Sequence, residues 1–209
     1  MKIALFGATG LSGVAVLGEA LKRGHDVKVL ARDPAAITTK HERLSVVRGN
    51  ALVSEDVESV LQGREAVVHC LGVGGKGDGK PSTLVSDSIS LLLPVMAKHG
   101  IKRLVAMSNV GAGNSGPWLV NRVVFPLFFR WLRPIIDDKN RMEAILRASS
   151  CDWTAARFPE IVDGEARSIK TSLDGKKLSF KITTASVAVF MLDQLADPTF
   201  IGATPAASN

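Results

Sequence analysis

A doubly wound α/β fold built on a mainly parallel sheet is what this sequence predicts, and three observations carry that expectation. A short apolar run, a glycine turn and a helix-period segment follow one another directly over residues 3–24. Apolar runs short enough for buried strands then alternate with helix-period segments along most of the chain. No internal repeat or linker interrupts the alternation, so one domain over residues 1–209 is expected.

The first element is Ile3, Ala4, Leu5 and Phe6, continuously apolar as a strand buried on both faces requires. Gly7, Gly10 and Gly13 follow in the spacing Gly-x-x-Gly-x-x-Gly. Leu11, Val14, Leu17 and Leu21 then repeat at helical spacing until Gly24 stops them. A glycine triplet alone signals only a tight turn, but strand, turn and helix in this order is the setting in which it means dinucleotide binding. Gly7 allows the turn, Gly10 lets the backbone approach a pyrophosphate, and Gly13 lets the helix sit close on the strand. The helix N-terminus then presents its N–H groups to the anion, the Rossmann-type arrangement.

Asp26–Arg32 reads as the second strand, whose end is where a nicotinamide cofactor's ribose lies. An arginine there pairs with the 2′-phosphate of NADP, and a carboxylate accepts from the 2′-hydroxyl of NAD. Arg32 comes first and favours NADP (NADPH) over NAD, while Asp33 leaves NAD open.

Leu44–Arg48 is a third strand, and Ser54 is expected to cap a short helix that turns Val57, Val60 and Leu61 inward and ends at Gly63. Ala66–Leu71 is a fourth strand, in which His69 and Cys70 read as core residues. Gly72, Gly74, Gly75, Gly77 and Gly79, with Lys76 and Lys80, form a loop suited to a phosphate contact or a mobile lid. Residues 83–100 read as a buried helix with a kink expected at Pro94, and Arg103–Ser108 as strand five. Asp137 is expected to cap a helix carrying Met142, Ile145 and Leu146, and Asp152–Arg157 is strand six. Ser168–Leu173 and Lys177–Phe180 flank Asp174-Gly175, a hairpin signal, and predict a small C-terminal extension on the substrate side. Thr183 or Thr184 opens a last helix with Val187, Phe190, Met191 and Leu195 on one face.

Residues 117–136 stand apart. Trp118, Phe125, Phe128, Phe129 and Trp131 lie here, five of the eleven aromatic residues, with Arg122, Arg130 and Arg133 interspersed. Phe125, Phe128, Phe129, Leu132 and Ile136 share one helical face. A core-facing helix, a wall over the substrate pocket, a dimer or membrane-surface contact are the readings, and the position directly after strand five suits a pocket wall.

With 46% hydrophobic residues the chain is globular, and its net charge of +6 is scattered, which suits a polyanionic cofactor better than nucleic acid. Met1 and Lys2 run straight into the first strand, leaving no room for a signal peptide, and no apolar stretch is long enough for a membrane span. Cys70 and Cys151 are far apart, as suits reduced cytoplasmic thiols, and the four histidines make no metal-ligand pattern.

These residues resemble the atypical short-chain dehydrogenases, in particular the NmrA-like NAD(P)H-binding proteins and the biliverdin-IXβ reductase/flavin reductase group. The resemblance rests on residues 2–13, on Asp137–Glu143 with Leu146–Ser149 and Asp152–Thr154, and on Arg157–Glu160. It implies a cofactor shell of Gly7, Thr9, Gly10, Leu11, Ser12, Gly13, Arg32, Asn50, Ala51, Leu71, Gly72 and Val73. Asn50 stands where relatives often have an aspartate that accepts from the adenine amino group, and its carbonyl can still accept. It also implies departures in the catalytic set. The sequence contains no tyrosine, so the Tyr-x-x-x-Lys pair is absent. Its lysine survives as Lys139, with Ile135 at the tyrosine position. Ser108-Asn109 stands for the usual Ser-Ser, and Glu160 for the reductase histidine.

Reducing a ketone or oxidising an alcohol needs a proton donor or acceptor held at the oxygen, worth roughly 10²–10⁴-fold in rate. Without the tyrosine, alcohol dehydrogenation and sugar epimerisation are disfavoured. Hydride transfer to a planar acceptor such as a flavin, a quinone or a linear tetrapyrrole depends mainly on stacking, and the proton can come from water or the acceptor. The expectation is an NADPH-dependent reductase of a small-molecule acceptor in which Ser108 or Asn109 orients the nicotinamide or substrate and Glu160 polarises or relays a proton. For Glu160 a solvated or capping carboxylate is an equal alternative. The competing reading is a non-catalytic NmrA-like sensor of the NADPH/NADP ratio that acts through a protein partner. A homodimer is compatible with either.

Overall fold

The computed structural model describes residues 1–73, 80–113, 132–176 and 178–209. Six parallel strands form its centre: β1 (Lys2–Phe6), β2 (Asp26–Ala31), β3 (Leu44–Arg48), β4 (Ala66–His69), β5 (Arg103–Gly113) and β6 (Asp152–Phe158), in the spatial order β3-β2-β1-β4-β5-β6. The order reverses between β1 and β4, so the switch point that such sheets use for ligands opens at the carboxyl ends of these two strands. β1 is buried on both faces as its composition demands, with Ile3, Ala4 and Leu5 at 0% exposure.

Beyond β6 lie β10 (Ala206–Ser208), parallel to β6, and β8 (Lys170–Ser172), antiparallel to β10. A separate parallel pair joins β7 (Glu160–Val162) to β9 (Lys181–Thr183). The expected hairpin is therefore corrected. Its turn exists, with Gly175 at φ +71° and Asp174 accepting from Ser172 Oγ and the Lys176 N–H. The strand before it, however, takes β10 as its partner, and residues 178–180 form no strand.

Helices cover both faces. α1 (Leu11–Lys22) and α5 (Thr184–Asp193) pack together over Ile3, Leu5, Val29 and Val105. On the other face α2 (Ser54–Leu61), α3 (Leu84–Lys98) and α4 (Arg133–Arg147) cover Ala4, Phe6, Leu104 and Ala106. α1 ends before Gly24, at φ +77°, but its inward face is Ser12, Gly13, Val16, Leu17, Ala20 and Leu21. Leu11 and Val14 are 59% and 56% exposed, so the helix is turned from the phase their spacing suggested. Small residues at 12 and 13 let its first turn lie against the sheet.

Two expected caps are also corrected. The residue before α2 is Val53, and Ser54 is the first helical residue. The backbone there is instead held by Asp56, which accepts from the Asn50 N–H at 2.7 Å. α4 begins at Arg133, four residues before Asp137, with Pro134 in its first turn where a missing N–H costs nothing. The Thr183 cap of α5 holds, its hydroxyl accepting from the Ser186 N–H.

Candidate functional site

At the end of β1 the chain turns into α1 through the three motif glycines, and each has a different reason to be glycine. Gly7 has φ +82°, and a Cβ there would lie 2.6 Å from the Cys70 carbonyl oxygen. A Cβ on Gly13 would lie 1.9 Å from the Gly7 carbonyl oxygen, so helix and turn touch backbone to backbone. Gly10 is different: its nearest neighbour, the same oxygen, would be 3.5 Å away, an ordinary contact. Nothing among the described residues demands glycine at 10. The residue precedes α1 with φ −81° and ψ 165°, no side chain caps the helix, and Thr9, Gly10 and Leu11 are exposed while Ser12 is buried. The result is an open cradle of uncapped N–H groups at the positive end of a helix, which fits a diphosphate.

Arg32 follows β2, is exposed, and makes no hydrogen bond or ion pair among the described residues. Asp33 caps the short turn Pro34–Ala36, its Oδ1 accepting from the Ala35 N–H at 3.1 Å. Asn50 is exposed beyond β3, and its Oδ1 accepts from the Leu52 N–H at 3.1 Å. Half of the acceptor capacity expected to face a base is thus used locally, and Nδ2 is left as the free group. Ala51 packs against the α2 side of the core. Leu71, Gly72 and Val73 carry the chain out of β4, Leu71 half-buried and the other two exposed.

The floor beside this edge is organised by α4. Asp138, 2% exposed, turns its carboxylate to the first turn of α3 and accepts from the Val85 and Ser86 N–H groups at 2.9 and 3.1 Å. Lys139, also 2% exposed, donates from Nζ to the Leu71 carbonyl at 3.1 Å and the Met107 carbonyl at 2.7 Å. It thereby ties the chain leaving β4 to β5 just past the last residues these two strands pair, His69 and Ala106. Burial lowers its pKa to about 8, against the raising effect of Asp138, Cys70 and Glu143.

One turn further along α4, Glu143 is fully buried. It accepts from Ser108 Oγ at 2.8 Å, from Arg157 Nε at 2.8 Å and from Arg147 at 2.9 Å. Arg157 Nη2 completes a two-pronged pair on its other oxygen. Gly113, at the end of β5 with φ +59°, lies so near that guanidinium that a Cβ would be 2.3 Å from Nη2, and its N–H donates to Asn140 Oδ1 at 2.7 Å. β5 thus runs five residues beyond the expected end at Ser108, and its last residue is held here.

The four proposed reaction residues are thus not gathered at one point. Ser108 is 1% exposed and gives its hydroxyl proton to Glu143. Asn109 is half-buried opposite Phe158 in the β5–β6 register. Lys139 faces two carbonyls. Glu160 lies in β7 with its side chain 66% exposed, 3.8 Å from Lys181 Nζ. Ile135, at the tyrosine position, is a half-buried residue of α4.

His69 and Cys70 are core residues as expected. His69 Nε2 is 3.0 Å from Ser88 Oγ, its ring stacks on Phe6, and burial first and Lys139 second lower its pKa to about 3. Burial raises the Cys70 thiol to about 12. Residues 74–79 of the glycine loop and 117–131 of the aromatic segment lie outside the described residues. The sequence reading missed Asp138, Glu143 and Arg157 as buried charges. For the first two the only hint was helical spacing to apolar neighbours, Asp138 four residues before Met142 and Glu143 three before Leu146, and Arg157, on β6, gave none.

A family model described as NAD(P)H-binding matches residues 7–198. The UPF0659 protein YMR090W of Saccharomyces cerevisiae is 24% identical over 214 residues, covering 95% of this chain and 88% of its own length. Among solved structures, a candidate NADH-flavin reductase of Streptococcus pneumoniae superposes with TM-score 0.80 at 22% identity, covering 100% of this chain and 99% of that one. A short-chain dehydrogenase/reductase of Veillonella parvula in complex with NADP gives TM-score 0.78 at 16% identity, covering 100% and 94%. At such identities the superpositions establish the Rossmann-type fold. Among the described residues no helix is long and apolar enough to cross a membrane, and no cluster of metal-ligating side chains occurs. With the family model spanning nearly all of the sequence, the chain belongs to the NAD(P)H-binding family, as its resemblance to the atypical short-chain dehydrogenases implied.

Proposed function

We propose that this protein is an NADPH-dependent oxidoreductase that passes hydride to a planar acceptor: a flavin, a biliverdin-like tetrapyrrole or a quinone. The observation that carries the reading is the open cradle before α1, where no neighbour among the described residues excludes a side chain at Gly10. In this reading Gly7, Thr9, Gly10, Leu11, Ser12 and Gly13 hold the diphosphate. Arg32 takes the 2′-phosphate, because one oxygen of Asp33 is already spent on its own turn. Asn50 and Ala51 border the adenine, and Leu71, Gly72 and Val73 lead toward the ring that supplies hydride.

The chain's own work at the reacting end is to hold two planes in contact. Lys139 ties the chain leaving β4 to β5, and in this reading Asn109, opposite Phe158, and Glu160 of β7 border the acceptor. An acceptor that takes its proton from water or on its own nitrogen needs nothing more from the protein. That matches a chain without tyrosine. Free Cys70 and Cys151 suit a reducing, cytoplasmic setting.

The test is steady-state oxidation of NADPH with FMN, FAD, biliverdin and quinones, alongside titration with NADPH and NADH. Turnover well above the uncatalysed rate with one acceptor class supports the reading. Tight NADPH binding with no turnover on any acceptor removes the enzymatic half of it.

A specific observation favours the sensor as the second reading. Ser108 is committed to Glu143, Lys139 to two carbonyls, and Glu160 stands in solvent. A sensor must bind oxidised and reduced cofactor with different affinity, since equal binding shifts no equilibrium. Calorimetry with each form, together with a partner pull-down with and without cofactor, separates the two readings.

A further inference from the structure

We infer that Arg48, at the carboxyl end of β3, is the second half of an arginine clamp for the 2′-phosphate, so that NADPH selection rests on two strands and not on Arg32 alone. The inference rests on the cofactor reading above. β2 and β3 are parallel and in register, with Ala31 directly opposite Arg48. Neighbouring strands lie about 4.8 Å apart, so Arg48 begins one strand spacing from the residue that precedes Arg32. Both arginines are exposed. Neither makes a hydrogen bond or ion pair among the described residues.

Arg23, Arg64, Arg147 and Arg157 each meet a carboxylate, whereas Arg32 and Arg48, like exposed Arg133 and Arg167, meet none among the described residues. Two carboxylates close to them in sequence are engaged elsewhere. Asp33 caps its own turn, and Asp56 accepts from the Asn50 N–H on the α2 side of the sheet. Along β3, Leu44 and Val46 pack against the core beneath α1. The alternation of a strand sends Arg48 to that same face, the one on which the glycine turn and α1 lie. β3 is also the first strand of the sheet, so no further strand among the described residues covers its outer side. Two uncompensated guanidinium groups beside the ribose end of a dinucleotide cradle form a fork suited to a phosphate monoester. A cofactor with a bare 2′-hydroxyl offers them nothing.

The test compares wild type, Arg48→Gln and Arg32→Gln by calorimetric titration with NADPH, NADH, 2′,5′-ADP and 5′-AMP. A charge-assisted hydrogen bond is worth roughly 1.5–3 kcal/mol, so Arg48→Gln is expected to weaken NADPH and 2′,5′-ADP by about tenfold or more. NADH and 5′-AMP change less than about twofold. Unchanged NADPH affinity in Arg48→Gln with a selective loss in Arg32→Gln overturns the clamp and leaves the NADPH reading standing. Equal loss for all four ligands overturns the clamp as a general charge effect. No binding of NADPH or NADH by wild type removes the cofactor reading itself. Arg48 is exposed, so the variant's melting temperature, expected to match wild type, confirms that folding is not the cause.

Discussion

Arg157 of β6 grips Glu143 of α4 with two nitrogens, Nε on one carboxylate oxygen at 2.8 Å and Nη2 on the other, and both side chains are almost completely buried. The pair joins the last long strand of the parallel sheet to the helix that floors the site, and Gly113 lies on its outer side.

Removing one member of such a pair leaves an uncompensated charge in the interior. Arg157→Ala is expected to cost about 3–5 kcal/mol in chemical unfolding, and Glu143→Gln a similar amount because Arg157 is then the orphan. The exposed neighbour gives the control: Arg147→Ala, half in solvent and single-pronged, should cost no more than about 1 kcal/mol. Equal, small effects for all three would show that the buried pair contributes no more than a surface one.

The glycines of the first turn separate folding from binding. Gly13→Ala is expected to lower the melting temperature strongly, since its Cβ would meet the Gly7 carbonyl oxygen at 1.9 Å. Gly10→Ala has room and an ordinary φ of −81°, so stability should hold within about 0.5 kcal/mol. NADPH affinity should nevertheless fall by about tenfold or more, because the added methyl stands where a diphosphate must approach the backbone. Unaltered affinity in Gly10→Ala would remove the cradle from the binding site.

His69 sets an acid limit on stability. Its pKa is lowered by burial to about 3 from an ordinary 6.5, so the folded protein keeps it neutral while the unfolded chain protonates below pH 6.5. Between those values the unfolded state holds more protons, and stability therefore falls as pH drops, by up to about 1.4 kcal/mol per pH unit. Unfolding free energies of wild type and His69→Leu between pH 7 and 4.5 should diverge with that slope. His25, also lowered by burial, is present in both and cancels. Parallel curves would show that the ring is not neutral in the folded state.

Much of the sheet was legible because its strands announce themselves by composition. Leu44–Arg48 has the bounds its apolar pattern suggests, and Ala66–His69 and Asp152–Phe158 differ from expectation by only one or two residues. The glycine turn was legible for the same reason, since backbone geometry at Gly7 and Gly13 leaves no other residue a place. What periodicity could not reveal is partnership at a distance. β8 carries no mark that says its partner is the chain's last strand and not the segment after Asp174-Gly175. Nor do Asp138, Lys139 and Glu143 reveal, as three charged residues on a helix, that all are interior. Leu11 and Val14 show the reverse case, apolar side chains turned outward because Ser12 and Gly13 are small enough to lie inward.

The inner side of α4 meets four neighbouring segments through three side chains: Asp138 to α3, Lys139 to the chain leaving β4 and to β5, Glu143 to β5 and β6. A helix committed on that many sides has little latitude for mutation, since each exchange would strand a buried ionic group. Changes of acceptor preference, in the laboratory or in nature, should therefore accumulate away from it, on the surfaces that border the opening and owe the scaffold nothing.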